Sequence, residues 1–480
     1  MPQSDQKLSR RAAQAGCLSR RDLLGGALTL ASAGISGIGP ALALAAGEPQ
    51  ARVVGYGPLL PDPRGILNLP EGFRYRIISS TGRRMSDGLR VPALADGMHA
   101  FGSPSGLTRL LRNHELNQKS SGTAFDHLPG GRPPRKARER MYDDAVGRGG
   151  VTTLVFDTGT QTLKREFLSL AGTLRNCAGG ATPWGSWISC EETLLKRGQD
   201  GARRDHGFNF EVPARADALV QAVPLEAMGR FNHEAVGVDP ATGIVYQTED
   251  RAHGLFYRFL PDKAGDLQRG GRLQALALRD LPSAFTGNWD LSGVLSTGER
   301  LPVRWLEVEN VLAPDDDLRL QGRSRGAAAF ARGEGIAVEV HPNSTRVWFV
   351  CTAGGRNKRG QLFCYHPSPH EGGAKEEASP GTLELFVEPN DSRLLNHGDN
   401  LCVAPTGDIL VCEDNKEDQR VIGVGPNGGI FAIARNAAGD SEFAGATFSP
   451  DGSTLFVNLQ DSGLSFAVTG PWRSRSLAPA

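Results

Sequence analysis

The segment EAVGVDPATGIVYQTED, residues 234–250, decides the fold. Apolar and small residues alternate from Ala235 to Val238, the chain turns at Asp239-Pro240 and Thr242-Gly243, and the alternation resumes from Ile244. A period of two around a turn of Asp, Pro and Gly predicts an antiparallel hairpin, because successive strand side chains point to opposite faces. The hairpin is rewritten elsewhere. Residues 401–414 turn at Pro405-Thr406-Gly407-Asp408, 337–352 at His341-Pro342-Asn343, 446–460 at Ser449-Pro450-Asp451-Gly452, and 151–167 near Asp157-Thr158-Gly159. Repeated hairpins without helical periodicity between them predict an all-β chain folded as a β-propeller. A two-sheet sandwich and a pair of β domains use the same hairpins and remain the competing architectures.

Acids sit at the ends of the returning strands. Glu191-Glu192, Glu249-Asp250 and Glu413-Asp414 occupy the same place in three units. In a propeller, equivalent strand ends share one face around the channel, so these carboxylates converge. Convergent carboxylates without matching Lys or Arg repel one another and call for hard cations. The first pair closes NCAGGATPWGSWISCEE, residues 176–192, where Cys177 adds a thiolate suited to a softer metal. The triplet Asn-His-Glu appears twice, at 113–115 and 232–234. Its His and Glu point to opposite strand faces, which makes Glu234 the ligand candidate and His233 a supporting residue. In Arg332-Gly333-Glu334-Gly335 the Arg and Glu share a face, so Glu334 can hold a metal while Arg332 grips an anion bidentately. Asp399, in Gly398-Asp399-Asn400, opens the strand that leads to Glu413 and offers another oxygen. Each residue also has a bland reading, as a solvated strand end, a core thiol or a salt-bridged turn. The coincidence of all of them argues for a site.

The start of the chain sets the compartment. Ser19-Arg20-Arg21-Asp22-Leu23-Leu24 is a twin-arginine export pattern, followed by a Gly- and Ala-rich apolar run to Ala46 with small residues at Ala41, Ala43 and Ala45 for cleavage. Residues 1–46 therefore read as a signal peptide handled by the twin-arginine machinery, and 47–480 as one propeller domain that is periplasmic or secreted. With 53 basic and 53 acidic residues the formal charge is zero, which argues against a nucleic-acid partner. The seven cysteines show no zinc-finger spacing. Cys402 and Cys412 flank a turn, so a cross-hairpin disulfide and two free thiols are both open. The polar insertion 117–150 carries Arg132, Arg135, Lys136, Arg138 and Arg140 and reads as a surface loop or an anion-recruiting lid.

Taken in order, these motifs resemble the PhoX alkaline phosphatases. The resemblance runs from Arg112-Asn113-His114-Glu115 to Phe448-Ser449-Pro450-Asp451-Gly452 and is most specific at Asn176-Cys177-Ala178-Gly179-Gly180, Thr182-Pro183-Trp184-Gly185 and Cys190-Glu191-Glu192. It implies a six-bladed propeller, twin-arginine export and a calcium- and iron-dependent site. By the same resemblance Cys177 is the iron thiolate, Asn176 faces the phosphate, Glu191, Glu192, Glu249 and Glu334 hold the metals, and Arg332 binds the substrate phosphate. Glu234, Asp399 and Glu413 join them as ligand candidates on the residue reading. The family pattern has Pro where this chain has Gly333. The implied activity is phosphomonoester hydrolysis on a small molecule; the sequence does not fix the oligomeric state, and a monomer is the expectation. That activity fits the lack of a nucleophile-elbow serine motif. A calcium-dependent lactonase or esterase propeller and a non-catalytic calcium-binding propeller are the alternatives.

Overall fold

Antiparallel meanders account for nearly all regular structure in the computed structural model, which describes residues 55–290 and 295–473. The twin-arginine segment lies outside those residues. Each meander begins with an inner strand, and the inner strands are Ala95–Gly102, Asn176–Ala181, His233–Val238, Gly333–His341, Gly398–Val403 and Phe443–Phe448. They contact one another in that order, and the last contacts the first, so they close a ring around a channel. The fold is a β-propeller. Among the described residues, hydrogen bonding divides it into five sheets rather than six, because two four-stranded meanders are fused through strand Arg300–Glu307 into one nine-stranded sheet. The ring is locked by strand Arg74–Ser80, which comes from the N-terminal side and pairs with Leu464–Thr469 in the last meander. Closure of this kind removes the open edges that a linear array would expose.

The predicted hairpins are present. Those at 234–250, 337–352, 401–414 and 446–460 join the first and second strands of four meanders, whereas 151–167 forms the outer pair of the first. Turn chemistry works as the residue types require: Asp239 Oδ2 accepts from the Thr242 hydroxyl at 2.6 Å, and Ser449 donates to Asp451 at 2.6 Å.

Apolar layers between meanders hold the ring. Phe256, Phe349 and Phe363 stack with centroids 4.4 and 5.2 Å apart between the two fused meanders. At the channel wall the inner strands approach backbone to backbone. A Cβ on Gly180 would lie 2.0 Å from the Val236 carbonyl oxygen, and one on Gly335 would lie 2.7 Å from that of Asp399, so only glycine admits this contact. The insertion after Glu115 is packed, not loose: Phe125, Met141 and Tyr142 are buried, and it contains the short helix Arg135–Arg138. All six cysteines of the described residues are free. Cys402 pairs across the sheet with Leu410 and Cys412 with Val421, so the cross-hairpin disulfide is not formed.

Candidate metal centre

Every inner strand carries the same irregularity. Pairing to the second strand jumps from Ala95 to Met98, Asn176 to Gly179, His233 to Val236, Gly333 to Ile336, Gly398 to Leu401, and Ala444 to Thr447. A bulge leaves residues out of the ladder and re-aims their side chains. The first residue skipped in each strand is Asp96, Cys177, Glu234, Glu334, Asp399 and Gly445. Five of these six can ligate a cation, and all five line one cavity of about 200 Å³ at the channel end. The sixth is a glycine because a Cβ there would lie 2.3 Å from the Asp96 carbonyl oxygen.

A second tier follows from the hairpins. The residue just past each second strand is Glu115, Glu192, Asp250, Thr352, Asp414 and Gln460, and all six line the same cavity. Arg175, Arg332 and Glu442, which precede inner strands, complete it. Nine carboxyls and one thiol therefore face two guanidiniums.

The geometry suits more than one cation. Ligand atoms of Asp96, Glu115 and Cys177, of Cys177, Glu192 and Glu234, and of Glu234, Glu334 and Asp399 lie within 4.8 Å of one another in each trio. Cys177 and Glu234 are shared between trios, so the three groups form a chain. Cys177 Sγ sits 3.0 Å from Glu234 Oε1 and 3.6 Å from Asp96 Oδ2. Asp96 Oδ1 is buried without a hydrogen-bond partner among the described residues, as expected of an oxygen reserved for a cation. Burial, then the charges of Asp96 and Glu234, push the Cys177 thiol well above its ordinary range. Burial and mutual repulsion do the same to Asp96, Glu192, Glu234 and Glu334, and raise Asp399 to about 7. Carboxylate oxygens suit calcium, and the single thiol suits a softer ion.

The two arginines stand at the rim, each about 40% exposed. Both take a left-handed backbone, with φ of 44° at Arg175 and 60° at Arg332, two residues before a bulge ligand. Asp250 holds Arg332 through Nε and Nη2 at 2.7 and 2.8 Å, and Glu334 lies 3.0 Å from Nη2. Arg175 is shared between Glu115, at 2.7 Å, and Glu192.

The sequence candidates separate into two groups. Cys177, Glu192, Glu234, Glu334, Asp399 and Arg332 come together in this cavity. Glu191, Glu249, Glu413 and Asn176 do not, and the expectation for them is corrected. Each of the three acids is the last residue of its second strand and points into its meander. Glu191 accepts from the backbone of Leu174 and Gly207 and contacts His206 Nδ1 at 2.7 Å. Glu249 accepts from Leu255 N and Tyr257 Oη. Glu413 takes Arg420 bidentately at 2.7 and 2.8 Å, plus Asn396 N. Asn176 is buried in the ladder, accepting from Thr173 and donating to Ser189. The second acid of each pair faces the channel, so Asp250 and Asp414 replace Glu249 and Glu413. Asp96, Glu115, Arg175 and Glu442 were also missed. Only Glu115 had a signal, in its repeated triplet. Glu413→Gln is expected to destabilise the fold by about 3 kcal/mol, since it strands a buried guanidinium, and to leave metal content unchanged. Denaturant unfolding and metal analysis of the variant check this, and loss of metal without loss of stability would return Glu413 to the ligand set.

A closed β-propeller whose channel end gathers acids, one thiol and two arginines is a propeller with a candidate metal centre. Its residues 54–463 match the family model described as alkaline phosphatase PhoX. The chain belongs to the PhoX family and is a PhoX-type alkaline phosphatase. Among solved structures, Pseudomonas fluorescens PhoX in complex with vanadate, a transition-state analogue, is similar at 18% identity and TM-score 0.62, covering 86% of this chain and 97% of that one. A gluconolactonase of Xanthomonas campestris is similar at 13% identity and TM-score 0.40, covering 88% and 99%. No curated protein matched the sequence.

Proposed function

We propose that the channel end binds calcium and iron and hydrolyses phosphomonoesters of small molecules after export through the twin-arginine route. The observation that carries this reading is one thiol set inside a chain of bulge-presented carboxylates, with two arginines at the open rim. Asp96, Glu115, Cys177, Glu192, Glu234, Glu334 and Asp399 would hold the ions, with iron at Cys177 and calcium among the carboxylates. Bound there, the metals supply Lewis-acid stabilisation and acidified water. The protein's own part is positioning and charge. Arg332 is held by Asp250 through Nε and Nη2, and Nη1 makes no hydrogen bond among the described residues, so the fork is oriented before an anion arrives. Gln460 donates to Asp96 at 2.6 Å and to Glu115 at 3.1 Å, and Asn232 donates to Glu192 at 2.8 Å, which orients three ligands. An acidic cavity repels a phosphate until cations fill it, so substrate affinity depends on metal loading. Export of an already folded protein matches this, because metals can be loaded before translocation.

The direct test is iron and calcium per chain in protein purified from its export route, with turnover of an aryl phosphate before and after calcium chelation. Iron with calcium and chelator-sensitive turnover is expected, whereas calcium alone without turnover would sink the phosphatase reading. Arg332→Ala is expected to raise KM by about tenfold or more with metal content unchanged. An equal loss of metal would make Arg332 a support for Glu334 instead.

A further inference from the structure

An aromatic cluster that the metal centre does not use is tied to the backbone on both sides of Arg332. Asp250, the carboxylate that grips Arg332, is followed three residues on by exposed His253. The Arg332 amide donates to Arg251 O at 3.0 Å, which ties that turn to the arginine's own backbone. From the other side, Thr352 lines the cavity, and the next residue, Ala353, donates its amide to Ala331 O at 3.1 Å. The Ala353 carbonyl accepts the indole Nε1–H of Trp289 at 2.6 Å. Phe285 joins the two sides, with its ring centroid 4.7 Å from that of His253 and 4.6 Å from that of Trp289. Lys358 lies over the Trp289 ring at 4.5 Å. Trp289 and Phe285 are half-buried, while His253 and Lys358 are exposed.

A large indole fixed by its N–H, edge-packed by Phe285 and still open to solvent is a pre-ordered platform for a flat ring. It is tied through Ala353 to the backbone that flanks Arg332, whose guanidinium would hold the phosphate. The exposed ammonium of Lys358 can move from the indole to the ligand. We propose that Trp289 and His253, backed by Phe285, form a leaving-group subsite that favours phosphomonoesters of planar aromatic groups. The inference rests on the phosphatase reading for its phosphate anchor. Trp289 is a specificity residue, not a catalytic one.

The test compares kcat/KM for adenosine 5′-monophosphate, 4-nitrophenyl phosphate and glycerol phosphate in the metal-loaded full chain and in Trp289→Ala. A loss of about tenfold on the aromatic substrates is expected, with glycerol phosphate changed less than twofold. Trp289→Phe, which keeps a ring but loses the bond to Ala353, should restore most of it. Loss on the nucleotide alone assigns the subsite to nucleobases, and loss on the nitrophenyl ester alone assigns it to aryl phosphates. Equal losses on all three substrates, or none, overturn the proposal. Calorimetric binding of adenosine to both proteins separates the two ideas. Weaker binding by Trp289→Ala supports the subsite even where no ester turns over, a result that would refute the phosphatase reading alone. Equal binding with no turnover overturns both.

Discussion

Cys177→Ala is expected to strip iron from the protein and lower kcat on an aryl phosphate by about a thousandfold, with the propeller still folded. Among the described residues that line the cavity, Cys177 supplies the one sulfur, and it belongs to two of the three ligand trios. Its bulge position keeps it out of the strand ladder, so removing Sγ breaks no sheet hydrogen bond. The thiol is held as a neutral group by burial and by Asp96 and Glu234, and only a cation makes its thiolate favourable there. Cys177→Ser would supply oxygen in the same place and is expected to keep calcium while losing iron. Elemental analysis and phosphate release measure both. Full activity in Cys177→Ala would remove this residue from the metal centre.

Metal removal is expected to lower Tm by about 10 °C at pH 8, and by much less at pH 5.5. In the metal-free fold, burial and mutual repulsion hold Asp96, Glu192, Glu234 and Glu334 far above the ordinary carboxylate range, and Asp399 at about 7. The unfolded chain releases the same protons near pH 4. Between those values the folded state binds more protons than the unfolded one, so stability falls as pH rises. Below about pH 4 both states are protonated and the penalty vanishes; it is complete once the pH passes the folded values. Bound cations take the place of those protons, so the loaded protein should lack this slope. Thermal melts at the two pH values, with and without chelator, provide the check. A chelation effect equal at both pH values would mean that the acids do not share a desolvated site.

Four inner hairpins were legible because each joins alternating strands through a polar turn. The first, 95–114, was not. Ala95–Gly102 reads ADGMHAFG, without alternation, because an inner strand packs against neighbouring backbone rather than presenting one apolar face. Asp96 was hidden with it. The acid pairs show the opposite case, visible as pairs but undecided in direction. Glu191, Glu249 and Glu413 still sit in the ladder, paired with Asn176, His233 and Gly398, whereas the next residue leaves the ladder and lines the cavity.

The sequence by itself determined the all-β meanders, their turn chemistry, the family, and the residues Cys177, Glu192, Glu234, Glu334, Asp399 and Arg332 as members of one constellation. Those are local patterns and motifs, written in residue types at short spacing. Tertiary structure alone decided which acid of each pair reaches the channel, that Asp96, Glu115 and Glu442 join them, and that Trp289 is bonded to the backbone flanking Arg332. The reason is that a bulge repeated in six strands aims one residue of each into the channel, and ring closure brings together side chains separated by hundreds of residues. Neither the bulge nor the closure has a signature in residue type: both depend on backbone pairing between strands, which composition and periodicity do not encode.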